Sequence, residues 1–223
     1  LNLGCPSGTV TAKGKGAGFL AEPQKLDQFL DQIFSKLDMK ISIKTRIGTH
    51  YEEDWEYLLA IYEKYPIYEL IIHPRIQTDM YRGVPRLGAY EKAVKRLKMP
   101  LCYNGNLFSA ADYKRITERF PDTCCFMYGR GLITNPGLVT EIREGIRPDK
   151  KTLREFHDCL FDEYRELLSG ERNVLFRMKE LWSYMAVNFT NYEKYAKRIK
   201  KSQHLSEYLS VVSSLFAEQD LVD

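Results

Sequence analysis

No stretch of the 223 residues is apolar over the roughly 18 positions that a membrane-spanning helix requires, and no signal-peptide pattern is present. The five cysteines, at 5, 102, 124, 125 and 159, include no CxxC pair and leave an odd member. That argues against a disulfide framework or a cysteine zinc site and for a reducing compartment. The adjacent pair Cys124-Cys125 reads as strand filling. None of the four histidines has a second at metal-ligand spacing, so no metal site is expected. An excess of charge is missing too: 33 Lys and Arg against 30 Asp and Glu leave a formal net charge of +3. Neither an internal repeat nor a low-complexity tract occurs. What remains is a soluble, cytoplasmic protein, expected to be a monomer, with 44% hydrophobic residues and length for one large or two modest domains.

Through residue 147 the chain alternates strand and helix. Leu1-Asn2-Leu3 reads as the end of a buried strand. Gly4 is expected to turn the chain through a positive φ, and Pro6 stops the ladder. Glu22-Pro23 opens a helix with Leu26, Phe29, Leu30, Ile33, Phe34 and Leu37 at helical spacing. Residues 40–48 alternate as a strand, and residues 51–64 form a helix with Trp55, Leu58, Leu59 and Tyr62 inward. Residues 67–74 are a strand stopped by Pro74, and a helix follows over 89–97. A short strand over 100–106, a helix capped by Ser109, a strand over 124–131 and a helix from Asn135-Pro136 complete the series. Alternating units with short apolar strands predict an α/β protein with a parallel sheet. Glycine and polar residues gather at the strands' carboxyl ends, as at the mouth of a (β/α)8 TIM barrel; a doubly wound open sheet is the competitor. Because Leu1 starts within a strand, the chain is expected to carry only about the last five barrel strands, with about three more upstream.

From Pro148 the strand pattern ends. Helices are predicted over 151–168, from an Asn173 cap to Val187, over 191–201 and over 204–217. Leu153, Phe156, Leu160, Phe161, Tyr164 and Leu167 share a face of the first. This predicts an all-α helical bundle, giving two domains, 1–147 and 148–223. Charge is sorted within the second. Between Arg172 and Gln203 stand eight basic residues (Arg172, Arg177, Lys179, Lys194, Lys197, Arg198, Lys200, Lys201) and two acidic ones (Glu180, Glu193).

Cys5, Lys44, His73, Asn104 and Arg130 end successive strands and are expected to converge. Asn104-Gly105-Asn106 and Gly129-Arg130-Gly131 are glycine-rich turns on consecutive strands, where backbone donors and an arginine can hold a phosphate. One thiol, one lysine, one histidine and a phosphate cradle suit a phosphorylated cofactor with an acid beside it. Whether Cys5 acts as nucleophile or proton donor stays open on these residues.

Taken in order, Leu-Asn-Leu-Gly-Cys-Pro-Ser, Gly-x-Gly-Ala-Gly-Phe-Leu, Lys-Thr-Arg-Ile-Gly, His-x-Arg, Tyr-Arg-Gly, Asn-Gly-Asn and Tyr-Gly-Arg-Gly resemble the tRNA-dihydrouridine synthases. Arg177-Met178-Lys179-Glu180-Leu181-Trp182 resembles that family's tRNA-binding helix. The resemblance implies an FMN enzyme on a (β/α)8 barrel with a helical domain, reduced by NADPH and passing hydride to C6 of a uridine in tRNA. It implies Cys5 as the acid that protonates C5 and Asn2 as a holder of the base. Lys44 and His73 would contact the flavin; Asn104, Gly105, Asn106, Gly129 and Arg130 would hold its phosphate and ribityl region. Arg75 would face flavin or substrate, and Arg177, Lys179 and Trp182 the tRNA. The sequence departs from the family in having His-Pro-Arg for His-Gly-Arg and Asn106 for an acid, and in lacking the opening strands. A flavin barrel acting on a free pyrimidine, and an inactive RNA-binding fragment, are the competing functions.

Overall fold

The structure, a computed structural model, describes residues 1–222. The chain divides into two compact units, Leu1–Asn106 with Arg115–Tyr128, and Leu107–Lys114 with Gly129–Asp223.

The first unit is built on a five-stranded parallel sheet of β1 (Asn2–Leu3), β2 (Ser42–Arg46), β3 (Glu69–His73), β4 (Leu101–Asn104) and β5 (Cys125–Met127). The strands lie in sequence order and every pairing is parallel. A doubly wound sheet reverses its order at a switch point; these five strands do not reverse, as an arc of a barrel requires. Between strands run α1 (Gly8–Thr11), α2 (Pro23–Lys36), α3 (Asp54–Tyr62), α4 (Leu87–Arg96) and α5 (Ala110–Arg119). The short α1 and a 3-10 turn over Gly16–Ala21 were not anticipated, because four glycines mask any periodicity there.

Helix α2 starts with Pro23 at its first position, where the missing N–H costs nothing. Its buried face is narrower than its apolar spacing: Leu26 and Leu30 are buried, whereas Phe29 and Leu37 are exposed. Helix α3 buries Trp55, Leu58, Leu59 and Tyr62 as expected. The polar atoms of these large side chains are satisfied. Tyr62 shares a 2.8 Å hydrogen bond with Thr45, Trp55 Nε1 donates to the Ala89 carbonyl at 2.8 Å, and Tyr90 pairs with Thr123 at 3.1 Å. Tyr90 also meets Tyr103 edge-on at 5.0 Å. Thr45 and Tyr103 therefore face the helices. By the two-residue alternation of strands, Asn2, Lys44 and Cys102, and one step further Arg46, His73 and Asn104, face the opposite side.

The second unit contains α6 (Arg130–Thr134), α7 (Leu138–Glu144), α8 (Lys150–Leu167), α9 (Glu171–Met185), α10 (Tyr192–Lys201) and α11 (Leu205–Glu218). Asp149 caps α8 by accepting from Thr152 N at 2.8 Å. Helices α8 to α11 share a core that includes Leu153, Phe161, Met178, Trp182, Met185, Ile199, Val212 and Leu215.

Several expectations are corrected. Gly170, at φ +85, is the N-cap of α9; Asn173 lies inside the helix, its side chain donating to Ser169 O. Leu167 is exposed, at the frayed end of α8. The last strand ends at Met127, and Arg130 and Gly131 are already helical. Cys125 opens β5 as expected, Cys124 lies just before it, and both are exposed. Gly4 takes no positive φ.

A chain through the second unit's core is polar. Trp182 Nε1 donates to Tyr208 Oη at 2.8 Å, and Tyr208 meets His157 Nε2 at 2.6 Å. His157 Nδ1 reaches Asp158 at 2.7 Å, and Asp158 accepts from Arg154. A carboxylate only accepts, so Nδ1 carries the proton and Nε2 accepts from the tyrosine. Burial pulls the His157 pKa down, against the opposing pull of Asp158.

Candidate active site

The inner face of the sheet gathers the chemistry at its carboxyl end. Cys5 is half-buried, directly after β1. Its carbonyl accepts from Ala17 N at 2.9 Å, which folds the glycine-rich stretch back over it. Gly16 makes this possible: its φ is +57, and a Cβ there would stand 2.7 Å from the Cys5 carbonyl oxygen. Gly4 lies against Lys44: a Cβ there would meet Lys44 Nζ at 3.6 Å, an ordinary contact. Asn2 is exposed, and its Oδ1 accepts from Gly4 N at 3.0 Å.

Lys44 pairs in register with Asn2 on one side and Ile71 on the other. Its half-buried ammonium forms no hydrogen bond or ion pair among the described residues. Burial first, and the Arg46 charge second, hold its pKa below the usual lysine range, while the Cys102 and Cys5 thiols pull the other way. A partly desolvated cation without a partner is costly, so this point of the face favours an electron-rich ligand.

Beside it, Arg46 is 1% exposed. Nε donates to Gly4 O at 3.0 Å, Nη1 to Ile76 O at 2.9 Å and Nη2 to Met80 O at 2.7 Å. Its guanidinium also lies 5.6 Å from the centre of the Tyr81 ring, and Tyr81 is 6.3 Å from His73. Arg46 and Tyr81 were visible only as letters within motifs. No sequence rule separates a buried arginine that binds three carbonyls from one at a surface; the Lys-Thr-Arg alternation, which puts Arg46 on the face of Lys44, was the available signal.

His73 is buried and lies 3.1 Å from Arg75 Nη1 through Nε2. An arginine keeps its protons, so Nε2 accepts and the ring proton is on Nδ1. Arg75 is 0% exposed. It donates to Arg82 O, Gly83 O and, through both terminal nitrogens at 3.2 Å, to Asn106 Oδ1. Arg75 is thus an internal clamp that fixes His73 and the 82–83 loop. Asn104 Nδ2 donates to Met127 O at 2.8 Å. Gly105, at φ +155, would place a Cβ 3.4 Å from His73 Cδ2 and 3.3 Å from Pro85. Asn106 occupies the left-handed region at φ +45, which asparagine tolerates better than most residues.

The remaining residues belong to the second unit. Gly129 precedes α6 as its N-cap, and Arg130 packs over the Phe108 ring at 5.2 Å. Arg177 is exposed and pairs with Glu180 at 3.0 Å. Lys179 is half-buried and donates to the Ser202 carbonyl. Trp182 is 1% exposed and sits in the core, which corrects its assignment to a tRNA-contacting surface: helical spacing puts it on the inward face with Met178 and Met185. Among the described residues no group of three or more His, Cys, Asp or Glu is placed to hold a metal ion, and no helix is long and apolar enough to cross a membrane.

A family model described as dihydrouridine synthase (Dus) matches residues 1–220. A protein of Pasteurella multocida (strain Pm70) named tRNA-dihydrouridine synthase B is 27% identical over 156 residues, 69% of this chain and 46% of the relative. A Staphylococcus aureus (strain Mu50) protein named "Probable tRNA-dihydrouridine synthase" is 26% identical over 231 residues, covering 100% of this chain and 65% of its own length. A Synechocystis protein named "Probable tRNA-dihydrouridine synthase 1" is 26% identical over 236 residues, covering 100% and 61%. The chain thus spans about half to two-thirds of the length of these relatives.

Proposed function

The chain belongs to the dihydrouridine synthase family, and from that premise we propose that it takes part in reducing the C5=C6 bond of uridine in tRNA, with FMN as cofactor and NADPH as its reductant. The partnerless ammonium of Lys44 against the strand end that carries Cys5 is the observation that carries the reading. It fits the electron-rich edge of a flavin. His73, braced by Arg75 with its proton on Nδ1, offers a second polar contact on the same face. Asn104, Gly105 and Asn106 close that face, and Gly105 leaves room where a side chain would crowd His73.

FMN, held on this face, would supply a hydride to uracil C6, and the enolate left across C5, C4 and the carbonyl oxygen would need a proton at C5. The Cys5 Sγ–H bond then breaks and its proton goes to C5, completing the saturated ring, and solvent restores the thiol. Asn2, near Cys5 with its Oδ1 accepting from Gly4 N, would hold the uracil through its amide nitrogen. A uracil within folded tRNA must leave its stack to reach such a face, as in other enzymes that act on a base. The sorted cations from Arg172 to Lys201 supply the phosphate contacts of RNA binding, which a free pyrimidine would not need.

The test is Cys5→Ala in the protein supplied with FMN and NADPH. NADPH should still bleach the flavin, and dihydrouridine in a tRNA lacking it should fall by about 100-fold or more, within the range that a positioned acid contributes. Undiminished product would overturn the role of Cys5. Equal turnover of free uridine and tRNA would favour a metabolite enzyme.

A further inference from the structure

Helix α9 turns its apolar residues inward with one exception. Val174, Leu175, Met178, Leu181 and Trp182 are buried, but Phe176 is 66% exposed. It does not stand alone on a convex surface. It lines an open pocket of about 650 Å³ with Arg172, Asn173, Lys179, Gln203 and His204. Lys179 ties the pocket to the end of α10 through the Ser202 carbonyl. Gln203 holds that turn in place through the Lys201 carbonyl at 3.0 Å and the Glu207 carboxylate at 2.9 Å. Lys200 and Lys201, both exposed, immediately precede this turn. Arg172, Lys200 and Lys201 form no ion pair among the described residues. Glu171 is the one carboxylate on the pocket wall.

An exposed aromatic face in a concavity, flanked by unpaired cations, matches the two needs of an unpaired nucleotide: a surface for the base to stack on and charge for its phosphates. A lipid surface would call for a broad convex apolar face, which one recessed phenylalanine does not make. We propose that this pocket takes one unstacked nucleotide of the bound RNA. The base lies on Phe176, and the flanking phosphates meet Arg172 and Lys201. The proposal deepens the RNA-binding part of the function above and does not depend on the flavin chemistry.

The test measures binding of the 223-residue chain to three probes: a tRNA transcript, a single-stranded uridine oligonucleotide carrying 2-aminopurine, and a fully paired RNA duplex. Phe176→Ala should weaken single-strand binding roughly tenfold or more, the scale of one lost base–aromatic stack, and abolish the 2-aminopurine quench. It should leave duplex binding and the salt slope unchanged. Phe176→Trp should restore the quench. Replacing Lys200 and Lys201 by Gln should lower the salt slope by about 1.4, near 0.7 per single-strand phosphate. Wild-type affinity and quench in Phe176→Ala would overturn the pocket assignment even if dihydrouridine formation is intact. A Phe176-dependent affinity without any dihydrouridine activity would retain the pocket and defeat the enzymatic reading. No RNA binding, or preference for anionic phosphatidylserine vesicles over RNA, would refute the pocket assignment and the RNA part of the function together.

Discussion

Arg46 joins the strand end that carries Cys5 to the loop after β3, so Arg46→Lys should loosen both. The arginine makes three hydrogen bonds, to Gly4, Ile76 and Met80. A lysine in its place has one nitrogen at the end of a narrower reach and can keep one of them. Hydrogen bonds from a charged donor contribute about 1.5–3 kcal/mol each. Losing two sets a ceiling of about 3–6 kcal/mol, and water reaching the freed carbonyls reduces it to about 2–4 kcal/mol. The variant should fold, because the sheet ladder and the helix-facing core do not involve this side chain. Local opening of residues 1–7 and 76–82 should become roughly 30- to 1,000-fold more frequent, by about 1.4 kcal/mol per factor of ten. Hydrogen exchange read peptide by peptide measures this directly. Alkylation of Cys5, followed by mass so that exposed Cys124, Cys125 and Cys159 do not interfere, should accelerate with it. Exchange and alkylation both within twofold of wild type would refute the clamp.

Tyr208→Phe should destabilise the second unit by roughly 2–6 kcal/mol, since it strands Trp182 Nε1 and His157 Nε2 at about 1–3 kcal/mol each; Trp182 fluorescence during urea unfolding reports it, and a loss under about 0.5 kcal/mol would contradict the polar chain. His157 is neutral when folded and its pKa lies below the ordinary value, so the unfolded chain takes up a proton first as pH falls below about 6.5. Stability is therefore complete above that pH and lost below it, at up to about 1.4 kcal/mol per pH unit; His157→Gln should remove that part of the acid sensitivity, and an unchanged pH profile would count against it. Asn106→Ala should cost about 2–3 kcal/mol, through the lost acceptor for Arg75 and the left-handed backbone. Asn106→Asp should cost nothing measurable by denaturant unfolding.

The strand-and-helix rhythm was legible because short apolar strands ending in Gly-Cys-Pro, His-Pro or Asn-Gly-Asn carry their own stop signals. His73 and Asn104 were legible for the same reason, since each sits at a marked strand end; Lys44, expected at a strand end, lies in the middle of β2, and alternation alone puts it on their face. What could not be read was the use of each charge. Arg75 and Arg46 look alike on paper to Arg177, yet the first two satisfy backbone carbonyls inside the fold and the third meets solvent. Trp182 failed for a related cause. A motif fixes the helix but not its rotation, and the inward stripe of Met178 and Met185 decides that the tryptophan is core. Asn173 was misread because a cap is defined by backbone geometry, and Gly170 supplied it first.

The division of the chain has a consequence for its biosynthesis. The path passes from one unit to the other after residues 106, 114 and 128, so neither unit is a single stretch that a ribosome releases whole. The piece 107–114 emerges before β5, yet its partners in the second unit lie beyond residue 128. It must wait for its first partners, Arg130 against Phe108 and Gly131 against Leu107, about twenty residues later, made at some 5–20 per second. A nascent chain stalled in that interval would present an unfinished sheet edge and an unclaimed helical turn together, which makes this window the natural point for a chaperone to act and a poor place to cut the protein into parts.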